Sequence, residues 1–427
     1  MKEVCIMKIL VVGSGGREHA IIRKLKESPK CEKIYAAPGN GGISFDAECV
    51  SIGAMDIEGM VSFAKEKEID LVFVAPDDPL AAGMVDAFEK EGIMAFGPRA
   101  NAAVIEASKV FSKDLMKKYN IPTADYAVID SAEEAVKYIE EKNEYPVVVK
   151  ADGLALGKGV IIAENFEDAK AAVKTIMEDK VFGASGNKVV IEEFLTGPEV
   201  SVLSFTDGKT LYPMVSSKDH KRALDGNKGL NTGGMGTISP NPYYSDEMAK
   251  ECMEKIFMPT VAAMNAEGRP FKGCLYFGLM LTPKGPKVIE YNSRFGDPET
   301  QVVLPRLKTD FVDIIVACCE EKLSDINIEW SDEASACVVM ASGGYPGSYK
   351  KGIEIKGLDE NGQVDGTVVY HAGTALKDGK LVTNGGRVLG VTALGKNLDE
   401  ALDKAYAAVK KIDFENAHYR TDIGRIL

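Results

Sequence analysis

The first hundred residues alternate short apolar runs with amphipathic segments. No other feature of the chain restricts its fold as strongly. Lys8–Val12, Lys33–Ala37 and Leu71–Ala75 read as strands. Arg17–Lys26, Asp56–Lys67 and Pro79–Glu91 read as the helices that follow them. Strand and helix in turn at this spacing predict a doubly wound parallel sheet, an α/β arrangement. Ligands bind such sheets beyond the carboxyl ends of the strands. Those ends carry Gly13-Ser-Gly-Gly16, Pro38-Gly-Asn-Gly-Gly42 and Pro76-Asp-Asp78.

Glycines between a strand and a helix let backbone N–H groups approach an anion. Gly13–Gly16 therefore reads as a phosphate or sugar-phosphate seat, or as a tight turn with no ligand. A dinucleotide fits less well. Glu18 stands where the third glycine of the fingerprint belongs, and the second strand ends in Ala37-Pro38 with no acid for a ribose.

A chain of 427 residues exceeds one hydrophobic core and predicts several domains. We place them at 1–107, 108–330 and 331–427. Ser108 reads as the N-cap of a helix to about Lys118. The stretch 122–194 then reads β-α-β-α-β, through Tyr126–Ile129, Ala132–Glu141, Val147–Lys150, Phe166–Met177 and Val189–Glu193. An α+β part follows to about Trp330, and a strand-rich part closes on a helix, Leu398–Lys411. No low-complexity linker separates these parts, so packed domains are expected.

The net charge of −13 argues against a nucleic-acid surface. No apolar run reaches the ~20 residues of a membrane span. The start has no signal-peptide apolar run before Gly13, and Met7 reads as a second start. Eight cysteines without a Cys-x-x-Cys pair fit free thiols in a reducing cytoplasm. Four scattered histidines make a structural zinc site a poor reading.

Four further stretches carry chemistry. Lys150-Ala-Asp-Gly153-Leu-Ala-Leu-Gly157-Lys-Gly159 sets a lysine at a strand end before three glycines, which fits a flap over a triphosphate or a plain hairpin turn. Glu192-Glu193-Phe194-Leu195, with Glu199, could read an adenine edge and a ribose, or form an acidic strand face. Lys218-Asp219-His220-Lys221-Arg222 and Asn231–Gly236 could handle a substrate or be solvated loops; for His220 the structural role is preferred. In Lys287–Thr300, strand alternation puts Glu290, Asn292 and Arg294 on one face. An acid and an amide suit magnesium, and a guanidinium suits phosphate or carboxylate. A wet edge strand is the alternative.

In this order the motifs resemble the ATP-grasp ligases, and among them the glycinamide ribonucleotide synthetase family, from Met7 to Leu427. GSGGREHA at 13–20, PGNGG at 38–42, KADGLALGKGV at 150–160 and EEFL at 192–195 carry the resemblance. So do DHKR at 219–222, NTGGMG at 231–236, NSRFGDPETQ at 292–301, HAGT at 371–374 and NGGRVLGVTALG at 384–395. The resemblance implies an ATP-grasp core with a mobile flap at about 122–194 and a strand-rich C-terminal domain. It implies ligation of glycine to 5-phosphoribosylamine through glycyl phosphate, with release of ADP and phosphate, in purine biosynthesis by a cytoplasmic monomer.

For ATP it implies Lys109, Lys150, Gly153, Gly157, Gly159, Glu192, Glu193, Phe194, Leu195 and Glu199, and for Mg²⁺ or Mn²⁺ Glu290 and Asn292. For the substrates it implies Gly15, Gly16, Arg17, Glu18, Gly39, Asn40, Gly41, Lys221, Arg294 and Asp297, with Arg294 and Asp219 catalytic. Two departures stand out. Cys274–Leu281 lacks the acidic metal ligand many ATP-grasp enzymes carry, and Asp77 stands where this family has glutamate. Another carboxylate–amine ligase of this superfamily, or a non-catalytic nucleotide sensor, is the alternative.

Overall fold

The structure is a computed structural model and describes residues 6–154 and 159–425. The N-terminal part runs β1 (Met7–Gly13), α1 (Gly16–Lys26), β2 (Cys31–Pro38), β3 (Glu48–Cys49), α2 (Ile57–Glu66), β4 (Leu71–Val74), α3 (Asp77–Ala81), α4 (Met84–Lys90), β5 (Met94–Phe96) and α5 (Ala100–Ala107). Its sheet has the order β3-β2-β1-β4-β5 and is parallel throughout. Alternation along β1 sends Ile9 and Val11 into one core with Ile21 and Leu25 of α1. Leu10 and Val12 enter another with Met60 and Phe88. Both faces are covered, as a doubly wound sheet requires. The helix expected over Pro79–Glu91 is two helices instead, because Gly83 takes a left-handed φ of +87° between them. The strands β3 and β5 are too short to leave a periodic signal.

The middle part opens on α6 (Lys109–Lys118), capped by the Ser108 hydroxyl, which accepts from the Phe111 N–H at 3.1 Å. Then come β6 (Tyr126–Ile129), α7 (Ala132–Lys142), β7 (Val147–Ala151), β8 (Val160–Ala163), α8 (Phe166–Val173) and β9 (Val189–Glu193). They make an antiparallel sheet of order β6-β9-β7-β8. Strand β8 was not anticipated, and the helix expected to Met177 gives way to a π-helical turn at Lys174–Glu178.

Next are β10 (Glu199–Asp207), β11 (Leu211–Pro213), β12 (Lys218–Asp219), β13 (Arg222–Leu224), β14 (Lys228–Asn231) and β15 (Gly236–Ser239). They are followed by α9 (Asp246–Cys252), α10 (Met258–Ala266), β16 (Lys272–Thr282), β17 (Gly285–Asn292), α11 (Thr300–Val303) and α12 (Phe311–Cys319). The antiparallel sheet β11-β10-β16-β17 is the floor of the middle part.

The C-terminal part contains β18 (Ala334–Ala341), β19 (Val368–His371), β20 (Thr374–Lys377), β21 (Lys380–Thr383), β22 (Arg387–Gly395) and α13 (Leu398–Val409). Its main sheet, β12-β15-β18-β22-β19, takes two strands from 218–239. The parts also share cores. Phe73 and Phe96 of the first sheet pack with Phe205, Phe295 and Phe311 of the middle part.

Two of the histidines that look scattered in sequence meet between the first and last parts. The His371 backbone N–H donates to His19 Nδ1 at 2.8 Å. His19 Nε2 therefore carries the proton and donates to Asp46 Oδ2 at 3.1 Å. Both side chains are fully buried. Burial, then neighbouring His19, pushes His371 down to about 3. Burial likewise pushes His220 down to about 4. An unfolded imidazole binds protons more readily than these, so their contribution is present above pH ~6.5 and is lost as pH falls below it. Each should lose on the order of 2 kcal/mol by pH 5. The urea midpoint of the His371→Gln chain should then fall less between pH 7 and pH 5 than that of the parent. Identical pH slopes would contradict this account.

Candidate active site

The middle part gathers lysines around two carboxylates, one on each of its two sheets. Glu192, at the end of β9, lies 2.9 Å from Lys113 Nζ and 2.9 Å from Lys150 Nζ. All three side chains are at most 5% exposed. The Glu192 carboxylate is thus committed to two lysines, which leaves Glu193 and Glu199 as the more open acids of this segment. Its neighbour Glu193 pairs with Lys287. Lys150 also donates to the Ile289 carbonyl at 3.2 Å, which ties β7 to β17. Lys109 donates to the Gly153 carbonyl at 2.8 Å. Gly157 lies outside the described residues, and Gly159 accepts from the Ala151 N–H.

Glu290 stands at the centre of these cations. Lys221 Nζ lies 3.6 Å from the Glu290 carboxylate and 4.0 Å from that of Glu199. Burial pushes the Glu290 carboxyl up, but Lys221, Lys150, Lys109 and Arg294 outweigh it and hold it below the ordinary range. It is ionised and about one-third exposed. A bulge in β17 swings Ile289 out of register and leaves Glu290 opposite Gly278 of β16. Gly278 is the position where an acidic neighbour would crowd it: an added Cβ there would lie 3.0 Å from Glu290 Cγ.

The strand ends at Asn292, so Arg294 belongs to the turn beyond it and not to the strand face. Arg294 still meets that face, donating to Asn292 Oδ1 at 3.1 Å. It also donates to the Phe295 carbonyl at 3.3 Å and pairs with Glu106 of α5 at 3.0 Å. Glu106 also accepts from the Ser293 N–H and hydroxyl, each at 2.7 Å. Arg294 Nε is buried with no hydrogen-bond partner among the described residues. Asp219 is half-buried, and desolvation followed by the like charge of Glu299 raises its carboxyl well above the usual range. His220 is structural: its backbone N–H donates to the Gly236 carbonyl at 2.9 Å, and its Nε2 accepts from the Gly424 N–H at 3.1 Å.

A third feature is a cleft of about 400 Å³ between the first and last parts. Ser14 and Pro38–Gly41 line one side, and Ala372–Leu376 with Asn384 the other. The α1 turn is closed by its own side chain. The Glu18 carboxylate accepts from the Gly15 N–H at 2.5 Å and from Arg17 Nε at 2.7 Å, so an internal anion fills that helix start. Gly16 faces Gln301: an added Cβ would lie 2.7 Å from its Nε2. Asn40 Nδ2 donates to the carbonyls of Ser14, His371 and Ala372, and its Oδ1 accepts from the Gly42 and Ile43 N–H groups. Asn40 therefore shapes the cleft wall with a fully employed side chain.

Among the described residues no three His, Cys, Asp or Glu side chains converge as a metal cage. The Glu290/Asn292 pair fits a hard cation that keeps water and phosphate oxygens as its other ligands. The donors are one ionised carboxylate and one amide oxygen, beside lysines that attract phosphate.

Matches to known proteins agree with this layout. Models of the phosphoribosylglycinamide synthetase N domain, ATP-grasp (A) domain and C domain match residues 7–106, 107–300 and 335–426. The phosphoribosylamine–glycine ligase of Caldanaerobacter subterraneus subsp. tengcongensis is 52% identical over 98% of this chain and 99% of its own. The chain belongs to the phosphoribosylglycinamide synthetase family. The Escherichia coli O6:H1 ligase of the same name is 48% identical over 98% of each chain. The crystal structure of the Thermotoga maritima ligase superposes with a TM-score of 0.85 at 33% identity, covering 97% of this chain and 99% of that one. The fold alone is shared with Campylobacter jejuni biotin carboxylase, at a TM-score of 0.74 and 15% identity over 98% and 94% of the two chains.

Against the synthetase family's spans, Glu106 is the last residue of the N-domain match and Arg387 lies inside the C-domain match. Sequence reasoning missed both, and Lys113 as well. Lys113 had a signal, since it follows Lys109 by four positions on one helix face. Arg387 stands in the 384–395 motif, which marked the family without giving this residue a role; Glu106 had no signal, because it reaches the site only through tertiary contact. Removing Glu192 would leave Lys113 and Lys150 buried without their anion. Glu192→Ala should cost about 3–5 kcal/mol in urea unfolding. A loss below about 1 kcal/mol would show that the clamp is dispensable.

Proposed function

We propose that this chain ligates glycine to 5-phosphoribosylamine with cleavage of ATP, giving glycinamide ribonucleotide, ADP and phosphate. The observation that carries the reading is the convergence of Lys109, Lys150, Lys221 and Arg294 on the ionised Glu290 carboxylate, in a member of this family. A carboxylate is a poor electrophile. One glycine oxygen takes the γ-phosphoryl group as the bond to the β-phosphate oxygen breaks, and ADP leaves. The amine nitrogen then bonds to the carbonyl carbon, the carbon–oxygen bond to phosphate breaks, and the nitrogen sheds a proton.

Catalysis of this kind is mostly positioning and charge stabilisation. The lysines supply fixed positive charge where phosphoryl oxygens gather. Glu290 and Asn292 would hold magnesium or manganese, which when bound neutralises phosphate charge. Arg294, one hydrogen bond short at Nε, receives the glycine carboxylate. The Ser14 cleft takes the phosphate and ribose. The same reading divides the chain near 107 and 330, treats 122–194 as a flap that keeps water from the acyl phosphate, and makes the protein a cytoplasmic monomer. Among the described residues no helix is long and apolar enough to cross a membrane.

The decisive assay measures ADP release with glycine, magnesium and phosphoribosylamine formed in situ from ribose 5-phosphate and ammonia. ADP should appear only when all are present. Glu290→Ala should lower kcat/KM by about a thousandfold while leaving the melting temperature within a few degrees. Near-normal turnover of a folded Glu290→Ala chain at limiting magnesium would sink the assignment.

A further inference from the structure

The Asp297 carboxylate sits where all three parts of the chain meet. On one side is the α1 turn: a Cβ added at Gly15 would lie 3.4 Å from Asp297 Oδ2, and one at Gly16 3.8 Å from Oδ1. On another is the turn that carries Arg294, three residues earlier. The third side is the C-terminal sheet, from which Arg387 Nη2 reaches Asp297 Oδ2 at 3.2 Å. Gln301 Nε2 donates to Oδ1 at 2.7 Å. Arg387 does more than pair with this acid. Its Nη1 donates to the Asp297 carbonyl at 2.8 Å and to the Gly233 carbonyl at 2.5 Å. One guanidinium thus fastens the Asn231–Gly236 loop and the Asp297 turn together.

The two side chains remain 20% and 18% exposed, so the pair is open to a ligand, unlike the sealed Glu192 clamp. We propose that Arg387 is a positioning residue for the amine-transfer half of the reaction, holding Asp297 where it accepts a hydrogen bond from the amine of phosphoribosylamine. The inference rests on the function proposed above. Asp297 lies against Gly15 and Gly16, next to Ser14 of the cleft, and on the same turn as Arg294, so it adjoins both the phosphate end and the acyl end assigned above. Burial raises the Asp297 carboxyl, but Arg387 and then Arg17 outweigh it. The group therefore orients the nucleophile as a fixed acceptor and is a poor proton acceptor.

Steady-state kinetics of full-length Arg387→Met and Asp297→Asn test this, with the three substrates varied separately. Both should raise KM for phosphoribosylamine at least about tenfold, with KM for ATP and for glycine within twofold of the parent. Arg387→Lys should restore part of the loss, since it keeps charge but not the forked geometry. If all three KM values rise together, or only the melting temperature falls, Arg387 is structural and the proposal is overturned. If Arg387→Met fails to fold, Asp297→Asn decides alone: an unchanged KM for phosphoribosylamine refutes the inference. Absence of phosphoribosylamine-dependent ADP release in the parent chain would instead refute the function on which it rests.

Discussion

Phe295 holds the arrangement together. It is 1% exposed, and its ring lies 5.8 Å from Phe73, 6.0 Å from Phe205 and 6.1 Å from Phe311. Those rings come from the first sheet, the middle sheet and α12, so one side chain joins three elements. Its neighbours in sequence are site residues, Arg294 before it and Gly296-Asp297 after. Burying the ring fixes the backbone from which both charged groups project. Aromatic contacts of this kind add about 0.5–1.5 kcal/mol each beyond area burial. Here they also fix the separation between the Arg294 and Asp297 backbone positions on either side of the ring.

The site's electrostatics follow a division of labour between closed and open pairs. The Lys113–Glu192–Lys150 clamp is closed and brings β7, β9 and α6 into register. Glu290 and the Arg387–Asp297 pair keep a partly exposed face. Closed pairs contribute geometry and lose heavily if one member is removed, whereas open pairs can exchange partners with a ligand. Lys109, Lys150 and Lys221 are themselves held in place by protein carboxylates and carbonyls.

Much of this was legible in the sequence, for local reasons. Strands β1, β2 and β4 with α1 and α2 announced themselves by periodicity, and the Ser108 cap by its side chain. Glu290 and Asn292 were legible because a strand puts alternate residues on one face. What was hidden is non-local. The Glu18 side chain caps its own helix, accepting from the Gly15 N–H, a contact no pattern announced. Asn40 looked like a ligand group, and its amide turned out to be shared among three backbone segments. The far wall of the Ser14 cleft comes from residues 372–384, more than three hundred positions away. No pattern within a short window encodes that meeting.

The C-terminal sheet has a consequence for how the chain is made. Its strands β12 and β15 leave the ribosome about a hundred residues before β18, the strand that β15 pairs with. Until then β15 presents an unpaired edge, and edges of this kind invite association with other chains. Nor can the sheet be finished before β22 emerges. Cutting the gene between the middle and last parts would therefore give two fragments that each lack half a sheet. Exchanging the last part for that of a distant relative would demand a matching 218–239 segment, so these two stretches are one unit of inheritance although they are separate in sequence.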